Sequence, residues 1–267
     1  MYGLLFHSKS IKAYNYIAIV ITLCLLEGCA SRVETHNMAA PENLTAIGDS
    51  LAASEKLFAE RTDITKLREA VNSLGNARNP DQRNFEVEWK FAKYSYFLGK
   101  AEPVEKDAIV AFEKGRDAGK IASRVDPNKP DGHFWYGANL GELGRISPIT
   151  VGLKSIDDIR EAMEAVIKIQ PDYQGASSYD ALGQLEMKTQ LRGGTLEKAV
   201  EYFEKGITLS GDNANLRLHL AEAYLALNKD TEARKQLDTL FATKANPEYV
   251  NEHRVALEQG KKLLEKL

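Results

Sequence analysis

Sulfur is almost missing from this chain: Cys24 and Cys29 are its only cysteines, both near the N-terminus. The long remainder has no thiol, which excludes a disulfide framework, a thiolate nucleophile and a Cys-ligated metal from it. Histidine is sparse and scattered. His36, His133, His219 and His253 have no partner four residues on, and no HExxH, GxSxG or acidic calcium loop occurs. No metal, cofactor or catalytic site is therefore expected, and the chain reads as a non-enzyme. An excess of basic charge is missing too: 35 Lys and Arg stand against 38 Asp and Glu, a net charge of −3. Sequence-independent nucleic-acid binding needs a concentrated basic face, so nucleic acid is set aside. Alternating β-branched runs are absent, and with them any expectation of a sheet.

The N-terminus carries the most specific signal. Lys9 and Lys12 form a positive region ahead of an apolar run from Ile17 to Leu26. That run of ten residues would make a helix of roughly 15 Å, against a hydrocarbon core of about 30 Å. It suits an export leader better than a membrane span. Leu26-Glu27-Gly28-Cys29 follows at once, and resembles the lipobox of bacterial lipoproteins, with Glu27 departing from the usual small or apolar residue. The resemblance implies a signal peptide over residues 1–28, lipidation of Cys29 and a membrane-anchored protein. Two or more acyl chains hold stably where one holds marginally. Ala30-Ser31 after the cysteine implies the outer membrane, facing the periplasm. Residues 29–43, with Pro41 and many small or polar side chains, read as a tether.

Residues 44–267 are helical in pattern almost throughout, as in Ile64, Leu67, Val71 and Leu74. The helices come in self-similar pairs. Tyr179-x-x-Leu182-Gly183 precedes Ala199-x-x-x-Phe203, and Leu220-Ala221-x-x-Tyr224 precedes Ala233-x-x-x-Leu237 and Pro247. Ala199 and Ala233 are 34 residues apart, the period of the tetratricopeptide repeat (TPR). Looser units start at Trp89 and Trp135, and a degenerate pair runs from about Ala46 to Gly75. Pro80, Pro127, Pro171 and Pro247 each follow a second helix and stop it. The chain is expected to be all-α: an α-solenoid of antiparallel TPR-like pairs, closed by a polar C-terminal capping helix from about Pro247.

A narrower resemblance lies between Gly132 and Leu240. It is carried by His133-Phe-Trp-Tyr-Gly-Ala-Asn-Leu-Gly141, the helix Asp157–Ile169 ending in Gln170-Pro-Asp-Tyr173, Leu182-Gly183, Arg192-Gly-Gly194 and Leu220-Ala-Glu-Ala-Tyr224. With the lipobox, this is similar to the T-component lipoproteins of TRAP (tripartite ATP-independent periplasmic) transporters. The resemblance implies a homo-oligomer that engages a periplasmic solute-binding protein, its small-molecule ligand, or both. The alternative is a TPR lipoprotein scaffold for outer-membrane protein or pilus secretin assembly.

Taking Trp135 and Trp89 as the large packing residues of their helices, the TPR concave positions become His133, Tyr136 and Leu140, and Lys90 and Tyr94. The later units add Asp180 and Gln184, then Leu218 and Glu222. Such a mixture of rings and single charges suits a peptide segment or a small organic anion, or else the tyrosines merely fill space. The connector Ile146–Leu153 has no charge, so its own helices, another subunit or a ligand should cover it. Gly193-Gly194-Thr195 is either an anion-binding helix start or a simple turn with Thr195 as N-cap.

Overall fold

The computed structural model describes residues 41–267; the leader, Cys29 and most of the tether lie outside the described residues. Within the described residues eleven α-helices follow one another: α1 Pro41–Ala59, α2 Ile64–Ala77, α3 Phe85–Ala101, α4 Glu105–Val125, α5 Pro130–Ile146, α6 Ile156–Ile169, α7 Tyr173–Lys188, α8 Leu196–Leu209, α9 Ala214–Ala226, α10 Asp230–Ala242 and α11 Val250–Leu264. The solenoid expected from the sequence is present. Each helix packs on its chain neighbour, and the first helices of successive pairs also touch. Helix α1 already begins at Pro41, ahead of the expected domain start at 44. Among the described residues no helix is long and apolar enough to cross a membrane.

Local chemistry sets the boundaries. Asp63, Asn84, Thr195 and Asn213 each use a side-chain oxygen to accept a free N–H at the start of α2, α3, α8 and α9. Pro130 occupies the first turn of α5, where its missing N–H costs nothing. The Gly193-Gly194 turn is filled from within. Its first glycine takes φ 94°, and a Cβ on the second would lie 2.4 Å from the Glu186 carbonyl oxygen. The Glu186 carboxylate itself accepts the Thr195 N–H at 3.3 Å. The anion at this helix start is the chain's own.

Pairs are joined by glycines facing large side chains. A Cβ on Gly99 would lie 2.6 Å from the Phe112 ring, on Gly137 2.6 Å from Met163 Cε, and on Gly183 2.3 Å from the Phe203 ring. One lock is used three times, a bare helix surface receiving a bulky side chain from the second helix of its own pair. Between pairs the backbones themselves meet. At Gly119 the nearest atom is the Tyr136 amide nitrogen, and at Gly132 it is that of Ser123. Three buried clusters result. One holds Leu74, Phe91, Trp135, Met163 and Leu182; another holds Phe203, Leu216, Leu220, Leu237 and Ala256; a small third holds Ala108, Phe112 and Leu143.

Candidate functional site: a concave groove

A cavity of about 930 Å³ runs along the inner face of the stack. Its floor comes from α5, through Phe134, Ala138, Gly141 and Arg145. Tyr96 and Phe97 of α3 form one wall, and Ser177, Asp180 and Gln184 of α7 the other. The start of α11 supplies Glu252 and His253. Nothing stands within 4 Å of a Cβ added to Gly141, so that glycine opens the floor. The aromatic side is continuous: ring centroids are 5.5 Å apart for Tyr96 and Trp135, 5.0 Å for Phe134 and Trp135, and 5.4 Å for Phe134 and Tyr173. Edge-to-face and tilted pairs of this kind keep an apolar wall rigid.

Polar groups interrupt that wall at a few points. Asp180 accepts from His219 at 2.6 Å and from the Gln184 carboxamide at 2.8 Å. Burial opposes charge on His219, but the Asp180 carboxylate outweighs it and the imidazole pKa is raised. Glu142 accepts from Lys100 at 3.0 Å and Arg145 at 2.7 Å. Although burial opposes its ionisation, these two cations hold its carboxyl below the usual range. Tyr173 donates to Asp131 at 2.7 Å, and burial together with that carboxylate pushes its phenol well up. His253 is only 7 % exposed, and its Nδ1 has no hydrogen-bond partner.

The edge of the groove at the start of α7 is backbone of an unusual kind. Gln174, Gly175 and Ala176 all take positive φ, at 50°, 62° and 59°. Left-handed backbone costs about 1–2 kcal/mol for a residue with a Cβ, so this turn must be held. Asn213 donates to the Gly175 carbonyl at 2.7 Å and Ser177 to that of Gln174 at 2.6 Å. The Tyr249 hydroxyl reaches the Gln174 carboxamide at 3.1 Å.

The structure sorts the sequence-derived positions into several places. Asp180 and Gln184 line the groove. Tyr136 does not; its hydroxyl donates to Asp158 at 2.8 Å and Lys120 lies over its ring, in a shallow pocket on the α4–α6 side that Leu140 also lines. His133 contacts the Pro127 carbonyl. Tyr94 is buried in a stack on Phe58, where burial raises its pKa to about 12, and Lys90 pairs with Glu55. Leu218 is buried in the cluster that includes Ala256 of α11, and Glu222 is half-buried on the same helix. The physical reason is register. The close-approach residue of α5 is Gly137 and that of α3 is Gly99, so counting from Trp135 and Trp89 turns both faces away from the groove. Counted from the glycines, as in α7 with Gly183, the inner positions become Phe134, Ala138 and Tyr96. The connector Ile146–Leu153 divides: Val151 packs against Phe112 and Leu143, Pro148 and Leu153 line the groove, and Ile149 stands 79 % exposed.

A family model described as regulator of microtubule dynamics protein 1-3 matches residues 51–190, more than half of the chain. The chain belongs to that family. A tetratricopeptide repeat model matches residues 190–251, so family domain and repeat together span α1's second half to the start of α11. No curated protein sequence matches the chain. Among solved structures, a thermophilic TPR protein of Thermus thermophilus is 16 % identical, covers 81 % of this chain and 99 % of its own, and superposes with a TM-score of 0.58. MamA residues 41 to the end from Desulfovibrio magneticus RS-1 is 18 % identical over 72 % of this chain and 93 % of its own, with a TM-score of 0.48. At these identities the likeness is one of fold, and the first carries it. The T-component resemblance rests on its motif residues alone.

The charged network of this family domain and its C-terminal units predicts a two-sided pH dependence. Glu186 is nearly enclosed between Arg160 at 2.7 Å and Lys198 at 3.3 Å. Burial opposes its charge, and the two cations hold its carboxyl below its ordinary 4.5. A depressed carboxyl stabilises the fold above the unfolded value and stops doing so as pH falls through the folded one. His219 is the opposite case. Its contribution is complete below its ordinary 6.5 and is lost as pH rises through its raised value. Melting temperature should therefore be highest between about pH 4.5 and 6.5. His219→Gln should flatten the alkaline limb only; an unchanged alkaline limb would show that His219 does not set it.

Proposed function

We propose that this protein is a membrane-tethered docking module whose concave groove holds a segment of a protein partner and performs no chemistry. The groove carries the reading: a rigid aromatic wall, a floor opened by Gly141 and a buried His253 with a free ring nitrogen form a concave, mainly apolar site with few polar points, the usual make-up of a recognition surface. The lipobox sequence supports the anchor, with Cys29 lipidated and the domain facing the periplasm from the outer membrane. The T-component resemblance supports a solute-binding protein as the partner and a homo-oligomer as the working form; a monomer in light scattering would turn the reading toward an assembly scaffold.

Gly141→Trp tests the groove. The new side chain enters open space, and replacing a helical glycine is worth about 0.5–1 kcal/mol where the backbone allows. The variant should melt no lower than the parent yet lose the partner that the parent retains from periplasm in a cross-linked pull-down. A variant that keeps the same partner at full occupancy would place docking elsewhere.

A further inference from the structure

The groove has a basic, apolar lip at one end. Where the C-terminal ends of α3 and α5 meet, Lys100 and Arg145 share the single carboxylate of Glu142, two cations to one carboxylate within this ion-pair group, while Glu252 of α11 lies elsewhere in the cavity lining. Lys188, at the end of α7, is exposed and donates to the neutral carboxamide of Gln184 at 3.3 Å. Arg145 is itself 57 % exposed, so its charge is available to a ligand. Helix C-termini carry about half a negative charge each, which offsets part of this excess without cancelling it. Beside these cations the connector presents Pro148 and Leu153 to the cavity, with Leu153 43 % and Ile149 79 % exposed.

We infer that this lip recognises a carboxylate next to a bulky apolar side chain on the partner segment. The inference rests on the docking reading above and adds the chemistry of the docked segment. The apolar side chain covers Leu153 and Pro148, and the carboxylate lies against Arg145 and Lys188. Charges at a rim act mainly on association rate and salt dependence, while the apolar contact sets residence time. His253, which lines the same cavity with its buried Nδ1 unpartnered, is left for a polar group further along the segment.

The test is a randomised peptide library displayed on phage and panned on the full chain in detergent micelles. Enriched sequences should pair Asp or Glu with Leu, Ile or Phe. A synthetic hit should lose about tenfold in affinity, about 1.4 kcal/mol, on Arg145→Glu with Lys188→Glu. Its binding should weaken as salt is raised in the parent and much less in the variant. Amidating the hit's C-terminus separates a side-chain carboxylate from a chain end. Enrichment of neutral apolar peptides, bound equally by parent and variant, would overturn the acidic preference and leave docking standing. No enrichment at all would overturn both.

Discussion

Gly119→Leu should lower the melting temperature by about 6–12 °C, the largest effect we expect from one added side chain. The cause is backbone meeting backbone. A Cβ at residue 119 would lie 2.5 Å from the Tyr136 amide nitrogen and 2.8 Å from its Cα. A flexible side chain could swing away, but α5 can move only as a whole. Gly132 meets the backbone of Ser123 in the same seam, so moving α5 loosens both contacts. Overpacking of this kind costs about 3 kcal/mol, and each kcal/mol is worth about 2–4 °C in a domain of this size. Gly48→Ala is the control, because nothing lies within 4 Å of its added Cβ. Differential scanning calorimetry of both variants checks the claim, and equal melting temperatures would contradict it.

Glu88→Ala should destabilise by about 3 kcal/mol in urea denaturation. The Glu88 side chain is 1 % exposed, and its carboxylate is held by Arg78 at 2.8 Å and Arg83 at 2.8 Å. Those arginines belong to the connector between α2 and α3, and Arg78 also lies over the Phe91 ring at 4.5 Å. Removing the carboxylate leaves two partly buried guanidiniums, that of Arg78 over the Phe91 ring, with no counter-charge, so the connector must lift. Both arginines keep some access to water, which holds the cost to the lower end for a broken buried pair. Arg254→Ala is the contrast. It also ends an ion pair, with Glu258 at 2.7 Å, but the two side chains are 62 % and 58 % exposed, and exposed pairs are worth less than about 1 kcal/mol. Similar losses from the two substitutions would refute the distinction.

How much of this was legible in the sequence depends on which residue marks the register. The helix pairs, their proline stops and the capping helix follow from apolar spacing and from backbone chemistry that is local to the chain. The groove follows only where a glycine is taken as the contact mark. In α7 the pair Leu182-Gly183 points directly to Asp180 and Gln184, because Phe203 from α8 needs that bare surface. In α5 and α3 the tryptophans are the conspicuous residues, yet Gly137 and Gly99 bear the close contacts. Gly137 lies within the same helix as Trp135 but two positions on, which rotates the face by about 200° at 3.6 residues per turn. Other features have no local signature. The left-handed turn at Gln174–Ala176 depends on Asn213, far along the chain, and Glu252 and His253 reach the groove only because α11 folds back onto α9.

The central claim is that a partner lies in the groove, and site-specific photo-crosslinking in cells tests it most directly. A photoreactive residue placed at Ala138, Gly141 or Ser177 samples the groove, and one at Glu113 or Lys205 samples exposed positions on second helices. One discrete crosslinked partner is expected from the three groove positions, lost on adding Gly141→Trp to the Ala138 or Ser177 probe, and none from the other two. Crosslinking confined to Glu113 and Lys205 would contradict the claim.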